Sequence, residues 1–220
     1  MPTATYQSTS QTVVDTELKT VGGSASYVGD TLTTIVVQSA SVMGSVTVSR
    51  GIFDFDTSNL PADTVVTSAT LDLYITAYGG GGAGFYAVGS NEIFNTTGSF
   101  PTWTQRALGI GWGTDGGSAV GPQSPTTLSP SGAGAVQYDV TKIVEWCRDN
   151  NASDRHVVIV VKHQNETDTA DSATFASSNH GTSNYRPKLT INYQRGKGAM
   201  GQAVFYGGRL QRLRRRAGKK

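Results

Sequence analysis

The chain has 220 residues, of which 37% are hydrophobic, 15% are charged and 27 are glycine, and its net charge is +2. A chain of this length buries one sizeable core, and all-β domains of this size are routinely single. No run approaches the ~20 apolar residues of a membrane helix, which predicts a soluble protein, and a lone cysteine, Cys147, excludes an intrachain disulfide.

The small net charge hides a partition. Residues 1–194 hold 9 Lys/Arg against 16 Asp/Glu, a balance of −7, while residues 195–220 hold 9 Lys/Arg and no acid, a balance of +9. An acidic body and a basic end imply two parts with different surroundings. The opening residues carry neither the basic start nor the apolar stretch of a secretory signal. Without secretion, the glycosylation-type sequons at Asn95, Asn151 and Asn165 carry no weight.

In chain order, residues 1–48 are polar and rich in Thr and Ser, with apolar beats at Val13, Val14, Leu18 and Val21. They predict one or two early strands, the second near 32–38, and a further candidate over 42–49. The most legible stretch is 50–76. Phe53 and Phe55 alternate with Asp54 and Asp56, and Leu71, Leu73 and Ile75 alternate with Asp72, Tyr74 and Thr76. Period-two alternation marks half-buried strands, and Asn59-Leu60-Pro61 makes the corner between them.

Residues 79–84 contain GxGxxG, but a strand-like run, Phe85-Tyr86-Ala87-Val88, follows where a nucleotide fingerprint needs a helix. A flexible hairpin loop is the better reading. Residues 95–135 form a long irregular excursion carrying Trp103 and Trp112. Such tryptophans either anchor a loop or offer stacking platforms to sugars, and buried aromatic area favours the anchor.

The helix is predicted over 139–150, with Val140, Ile143, Val144 and Cys147 on one stripe. Asp139 or Thr141 can cap its start, and Asn150-Asn151 suits a left-handed stop. Cys147 then reads as a small buried hydrophobe. The continuous apolar run 157–161 predicts a strand buried on both faces. Short strands follow at 174–176 and through Leu189, Ile191 and Tyr193. Beyond 194 come a Gly-rich linker, the apolar patch Val204, Phe205 and Tyr206, and a basic end with Arg209, Arg212, Arg214, Arg215 and Arg216. The expected architecture is all-β: a jelly-roll β-sandwich over 1–194 with one short helix, and a basic C-terminal anchor tail over 195–220.

Several of these pieces share an order with a known family. They are Arg50…Phe55-Asp56, Leu60-Pro61, Ser68-Ala69-Thr70-Leu71, Thr102-Trp103-Thr104, Tyr138-Asp139-Val140-Thr141…Trp146, Phe175-Ala176-Ser177-Ser178 and Arg186-Pro187-Lys188-Leu189. The pattern resembles the DNRLRE-type domain, also grouped with carbohydrate-binding module family 96, over about residues 10–194. The resemblance implies a single jelly-roll sandwich, with sugar binding in some members and architectural use in others. The missing secretion signal and the basic tail depart from that family.

Chemistry-bearing residues are few. Asp54 and Asp56 share a strand face, but Asp56 suits the role of capping the corner, and neither acid has a recognisable partner. Glu166, Asp168 and Asp171 supply the oxygen ligands that calcium takes, without EF-hand spacing. His156, His163 and His180 fit no zinc motif, and no GxSxG elbow is present, so an enzyme is not expected.

Two functional readings follow. The first is a virion structural protein, assembled in the host cytoplasm as a bacteriophage decoration, fibre or neck component. Its tail would dock on other virion proteins or packaged nucleic acid and its sandwich would face outward, with a homo-oligomer compatible. The second is a secreted carbohydrate-binding module using Tyr78, Tyr86, Trp103 and Trp112 against surface polysaccharide.

Overall fold

Ala69, Leu71, Leu73 and Ile75 are at most 2% exposed, and the residues between them face away from the core. That alternation belongs to the longest strand of an all-β sandwich. The computed structural model describes residues 1–7, 13–21, 24–26, 32–42, 45–80, 84–94, 101–151, 155–167 and 171–196. Its strands are β1 (Thr3–Gln7), β2 (Val13–Val21), β3 (Ser24–Ser26), β4 (Thr34–Val42), β5 (Ser45–Asp56), β6 (Thr64–Gly79), β7 (Phe85–Ser90), β8 (Gln105–Ala107), β9 (Ile110–Gly111), β10 (Ala119–Gln123), β11 (Gly134–Asp139), β12 (His156–His163), β13 (Asp171–Ala176) and β14 (Lys188–Arg195). Among the described residues one α-helix, α1 (Thr141–Asn150), lies between β11 and β12.

Two strands are long enough to serve both layers. β6 pairs with β11 along one edge; its other edge takes β14 in the first half and β13 in the second. β5 pairs with β2 on one edge and with β4 and then β12 on the other. The β4–β13 pairing joins the two systems, so one layer is β1-β14-β6-β11 and the other β2-β5-β12-β7-β10. All the pairings within this sheet are antiparallel.

The main core lies between the layers. Phe53, Phe55, Phe85, Phe175, Ile159, Leu71 and Tyr138 are fully enclosed there. A second apolar cluster covers the outer face of β5 and β12: Leu18, Ile52, Val158 and Val160 rise from the strands, and Phe94 and Trp112 come down from the 91–118 loop. With both faces covered, Val157 to Val161 are all 0% exposed, as the continuous apolar run predicts.

Four expectations need correction. The 42–49 candidate is not a separate strand; β5 runs unbroken through Arg50 to Asp56. The glycine run does not close a hairpin, because β6 and β7 belong to different layers; its residues 81–83 lie outside the described residues. The alternating face of β5 is not half-exposed, since Asp54 is only 5% exposed beneath the loop cluster. The helix does not stop on a left-handed asparagine. Asn151 has φ −109, and the left-handed residue is Arg155 at φ +54.

The start of α1 is served by Asp139, whose carboxylate accepts the N–H of Thr141 at 3.0 Å and its hydroxyl at 2.7 Å. Ile143, Val144 and Cys147 face the core as the spacing predicts, and burial pushes the Cys147 thiol up to about 12. Trp146 lies over Gly89 and Gly121, where an added Cβ would sit 3.0 and 2.7 Å from the ring. Only glycine lets the indole lie this close to β7 and β10.

Candidate functional site

The loop-covered face of β5 and β12 concentrates the charged groups that composition left unexplained. The antiparallel register sets Lys162 of β12 opposite Tyr86 of β7, and the Lys162 ammonium stands 5.7 Å over the Tyr86 ring. Lys162 also lies 3.1 Å from the Glu166 carboxylate just past the strand end. Arg50 of β5 meets the same carboxylate with two parallel bonds, Nε to Oε1 and Nη2 to Oε2, both 2.7 Å. The Arg50 guanidinium lies 4.6 Å over the Trp103 ring and donates to the Gly116 carbonyl at 2.8 Å. A chain Tyr86–Lys162–Glu166–Arg50–Trp103 results.

Burial works to raise the Glu166 carboxyl. The hydrogen bonds and charges of Arg50 and Lys162 outweigh it and hold the group below its ordinary value. Gly116 has φ +78, and a Cβ there would lie 2.4 Å from Arg50 Nη1, so the loop must carry glycine where the guanidinium enters. This arrangement ties the 101–118 loop to the sheet.

The aromatic candidates do not share a surface. Trp112 is 7% exposed in the second cluster, and its indole N–H donates to the Thr102 carbonyl at 2.8 Å, so it is a loop anchor and offers no open ring. Trp103 is half-buried with Arg50 over one face. Tyr78 packs on the main core, with its ring edge toward Phe85 at 6.4 Å. Only Tyr86 and Trp103 belong to one network, at its two ends. A partly exposed aromatic stack lies elsewhere. Tyr74 of β6 and Tyr185 stack face to face at 3.6 Å on the outer side of the other layer, with His180 5.5 Å from Tyr185. The outward beat of β6 pointed to Tyr74, but nothing in the sequence spacing pairs it with a residue more than a hundred positions away.

The three calcium candidates are not gathered by the described residues. Glu166 is committed to Arg50 and Lys162, so a cation would have to displace them. Asp171, 4% exposed, lies 3.6 Å from Nε2 of the fully buried His163. Asp168 lies outside the described residues, and among those described no group of three or more His, Cys, Asp or Glu could hold a metal ion.

Asp54 and Asp56 part company. Asp56 accepts the Ser58 N–H at 2.8 Å and caps the corner as expected; burial raises its carboxyl, but the side-chain and backbone hydrogen bonds of Ser58 and the charge of His156 together outweigh it and leave a net lowering. Asp54 has the partner that spacing did not reveal, His156, whose Nδ1 is 2.6 Å away. Burial pushes the Asp54 carboxyl above its ordinary value against the pull of that histidine. The pair follows from β12 lying beside β5, with His156 opposite Asp56 in register. Two more acids of β2 are tethers. Asp15 accepts the N–H and hydroxyl of Ser178 at 2.6 and 2.7 Å, and Glu17 accepts the Val36 N–H at 3.0 Å.

The anchor candidates Val204, Phe205, Tyr206, Arg209, Arg212, Arg214, Arg215 and Arg216 all lie outside the described residues. No protein-family model matches the chain, and no curated protein matches it.

Proposed function

We propose that this chain is a non-enzymatic structural component of a virion, a bacteriophage capsid decoration, fibre or neck accessory protein. Its basic end docks on the particle and its sandwich faces outward. The observation that carries this reading is the charge partition, with −7 over residues 1–194 and +9 over residues 195–220. A basic stretch with an adjoining apolar patch at Val204, Phe205 and Tyr206 suits an acidic docking surface with an apolar groove, or packaged nucleic acid. The body supports the reading because Arg50, Glu166, Asp15, Glu17 and Asp54 all serve internal tethers.

The test is truncation after Gly196, which keeps the whole of β14 and the Gly196 N–H to Asp63 carbonyl bond. The truncated protein is expected to unfold at the same temperature as the full chain and to be lost from purified particles. Incorporation at the full-length level overturns the proposal.

The second reading, carbohydrate binding, is favoured by one observation, the partly exposed stack of Tyr74 and Tyr185. Titration of bacterial and algal polysaccharides against wild type and Tyr185→Ala decides it. Binding that is absent, or unchanged in the variant, removes this stack as the platform.

A further inference from the structure

Beside the corner that follows β5, Thr57, Leu60, Ala62, Arg148 and Arg155 line a pocket of about 210 Å³. Arg148 enters from the last turn of α1, and Arg155 from the residue before β12. Backbone carbonyls take only part of their donor capacity. Arg148 Nη2 reaches the Pro61 and Ala62 carbonyls at 3.4 and 3.5 Å, and Arg155 Nη1 reaches those of Ser58 and Leu60 at 3.1 and 3.4 Å.

Arg148 Nη1 is buried and donates to nothing among the described residues. No described carboxylate forms an ion pair with either guanidinium. Asp56 is turned to Ser58, Asp149 acts on Arg148 only as a nearby charge, and the Tyr6 hydroxyl is committed to Asn59. Burial, and then the charge of Arg155, pull the Arg148 guanidinium below its ordinary value. A half-buried cation whose Nη1 is buried and unpaired, standing beside a second cation, is costly until an anion joins them.

We propose that this pocket is an oxyanion-binding site that takes a carboxylate, received by the forks of Arg148 and Arg155, with its short carbon stem against Leu60 and Ala62. The planar guanidinium matches a carboxylate through paired N–H bonds. The apolar lining suits an alkyl stem. The charge of Asp149, which acts on Arg148, leaves a local field suited to a monoanion rather than to a doubly charged phosphate. The site stands independently of the virion reading.

Butyrate, acetate, inorganic phosphate and the neutral amide butyramide are the probes, titrated into the full chain while the arginine side-chain N–H signals are followed by NMR. Butyrate is expected to saturate the Arg148 and Arg155 signals at about millimolar affinity, ahead of acetate and phosphate, with butyramide silent. Arg148→Gln and Arg155→Gln are expected to weaken it about tenfold, as loss of a charge-assisted contact implies. The basic tail is the same in every variant, so the difference reads the pocket. Ala62→Glu, at an exposed position, supplies a tethered carboxylate; it is expected to raise Tm above that of Ala62→Gln and to abolish the butyrate response. Butyrate affinity that is unchanged in Arg155→Gln, tighter binding of phosphate, or no saturation overturns the proposal.

Discussion

Arg50 and Glu166, 116 residues apart in the chain, meet through two parallel 2.7 Å hydrogen bonds on the outer face of the sandwich. Their side chains are 11% and 18% exposed, so water screens the pair poorly. Lysine cannot supply the paired bonds, the stacking on Trp103 and the bond to the Gly116 carbonyl together. Arg50→Lys is therefore expected to destabilise the protein by about 1–3 kcal/mol in urea unfolding. A double-mutant cycle of Arg50→Ala with Glu166→Ala should show coupling that 0.5 M salt barely changes. A loss below ~0.5 kcal/mol would place the pair with ordinary surface ion pairs.

Asp15 makes stability depend on pH. It is 3% exposed, and burial pushes its carboxyl up to about 7 against the hydrogen bonds of Ser178. The folded state therefore holds the Asp15 proton more tightly than the unfolded chain, whose carboxyl titrates near ~3.9. The stability from this group is complete below the unfolded value and is lost as pH rises through about 7. Wild type should lose up to ~1.4 kcal/mol per pH unit through this group between those values. Asp15→Asn should flatten that slope in urea midpoints taken from pH 4.5 to 7.5, and an unchanged slope refutes the assignment.

Trp112 holds the loop down. Trp112→Ala removes the largest side chain of the second cluster and the bond to Thr102, with an expected loss of about 3 kcal/mol. Hydrogen exchange should quicken first at the amides of Gly116 and Ser118, which bond to the Trp103 and Thr114 carbonyls, before the β12 amides respond. Unchanged protection at those two amides would mean the loop is held by other contacts.

Tyr138 is fully buried, and its hydroxyl has no hydrogen-bond partner among the described residues. Burial drives its phenol far above the ordinary tyrosine value. Tyr138→Phe keeps the ring and removes the unsatisfied oxygen. It should raise stability by about 1 kcal/mol, read as a higher urea midpoint with an unchanged slope. A destabilised variant would show that the hydroxyl has a partner after all.

The legible parts of the sequence were those written in local periodicity. The alternation in β6, the apolar run of β12 and the stripe of α1 each report a burial pattern within a few residues, because side-chain direction follows backbone period. The turn cap of Asp56 and the burial of Cys147 were legible for the same reason: their partners or neighbours are close in sequence or on the same stripe. The site residues were a different matter. Asp54 looked unpartnered because His156 is 102 residues away and arrives only through the β5–β12 register. Glu166 looked like a free oxygen ligand because nothing local announces Arg50.

By itself, the sequence determined the class of the fold, the helix, the corner and the separation of an acidic body from a basic end. Only the tertiary structure decided which charges are tethers, which tryptophan is an anchor and where two arginines share a pocket. The physical reason is that periodicity and net charge are properties of a segment, whereas pairing depends on which strands lie side by side. A register shift of one residue in β5 or β12 would send Arg50, Asp54 or Lys162 to the other face.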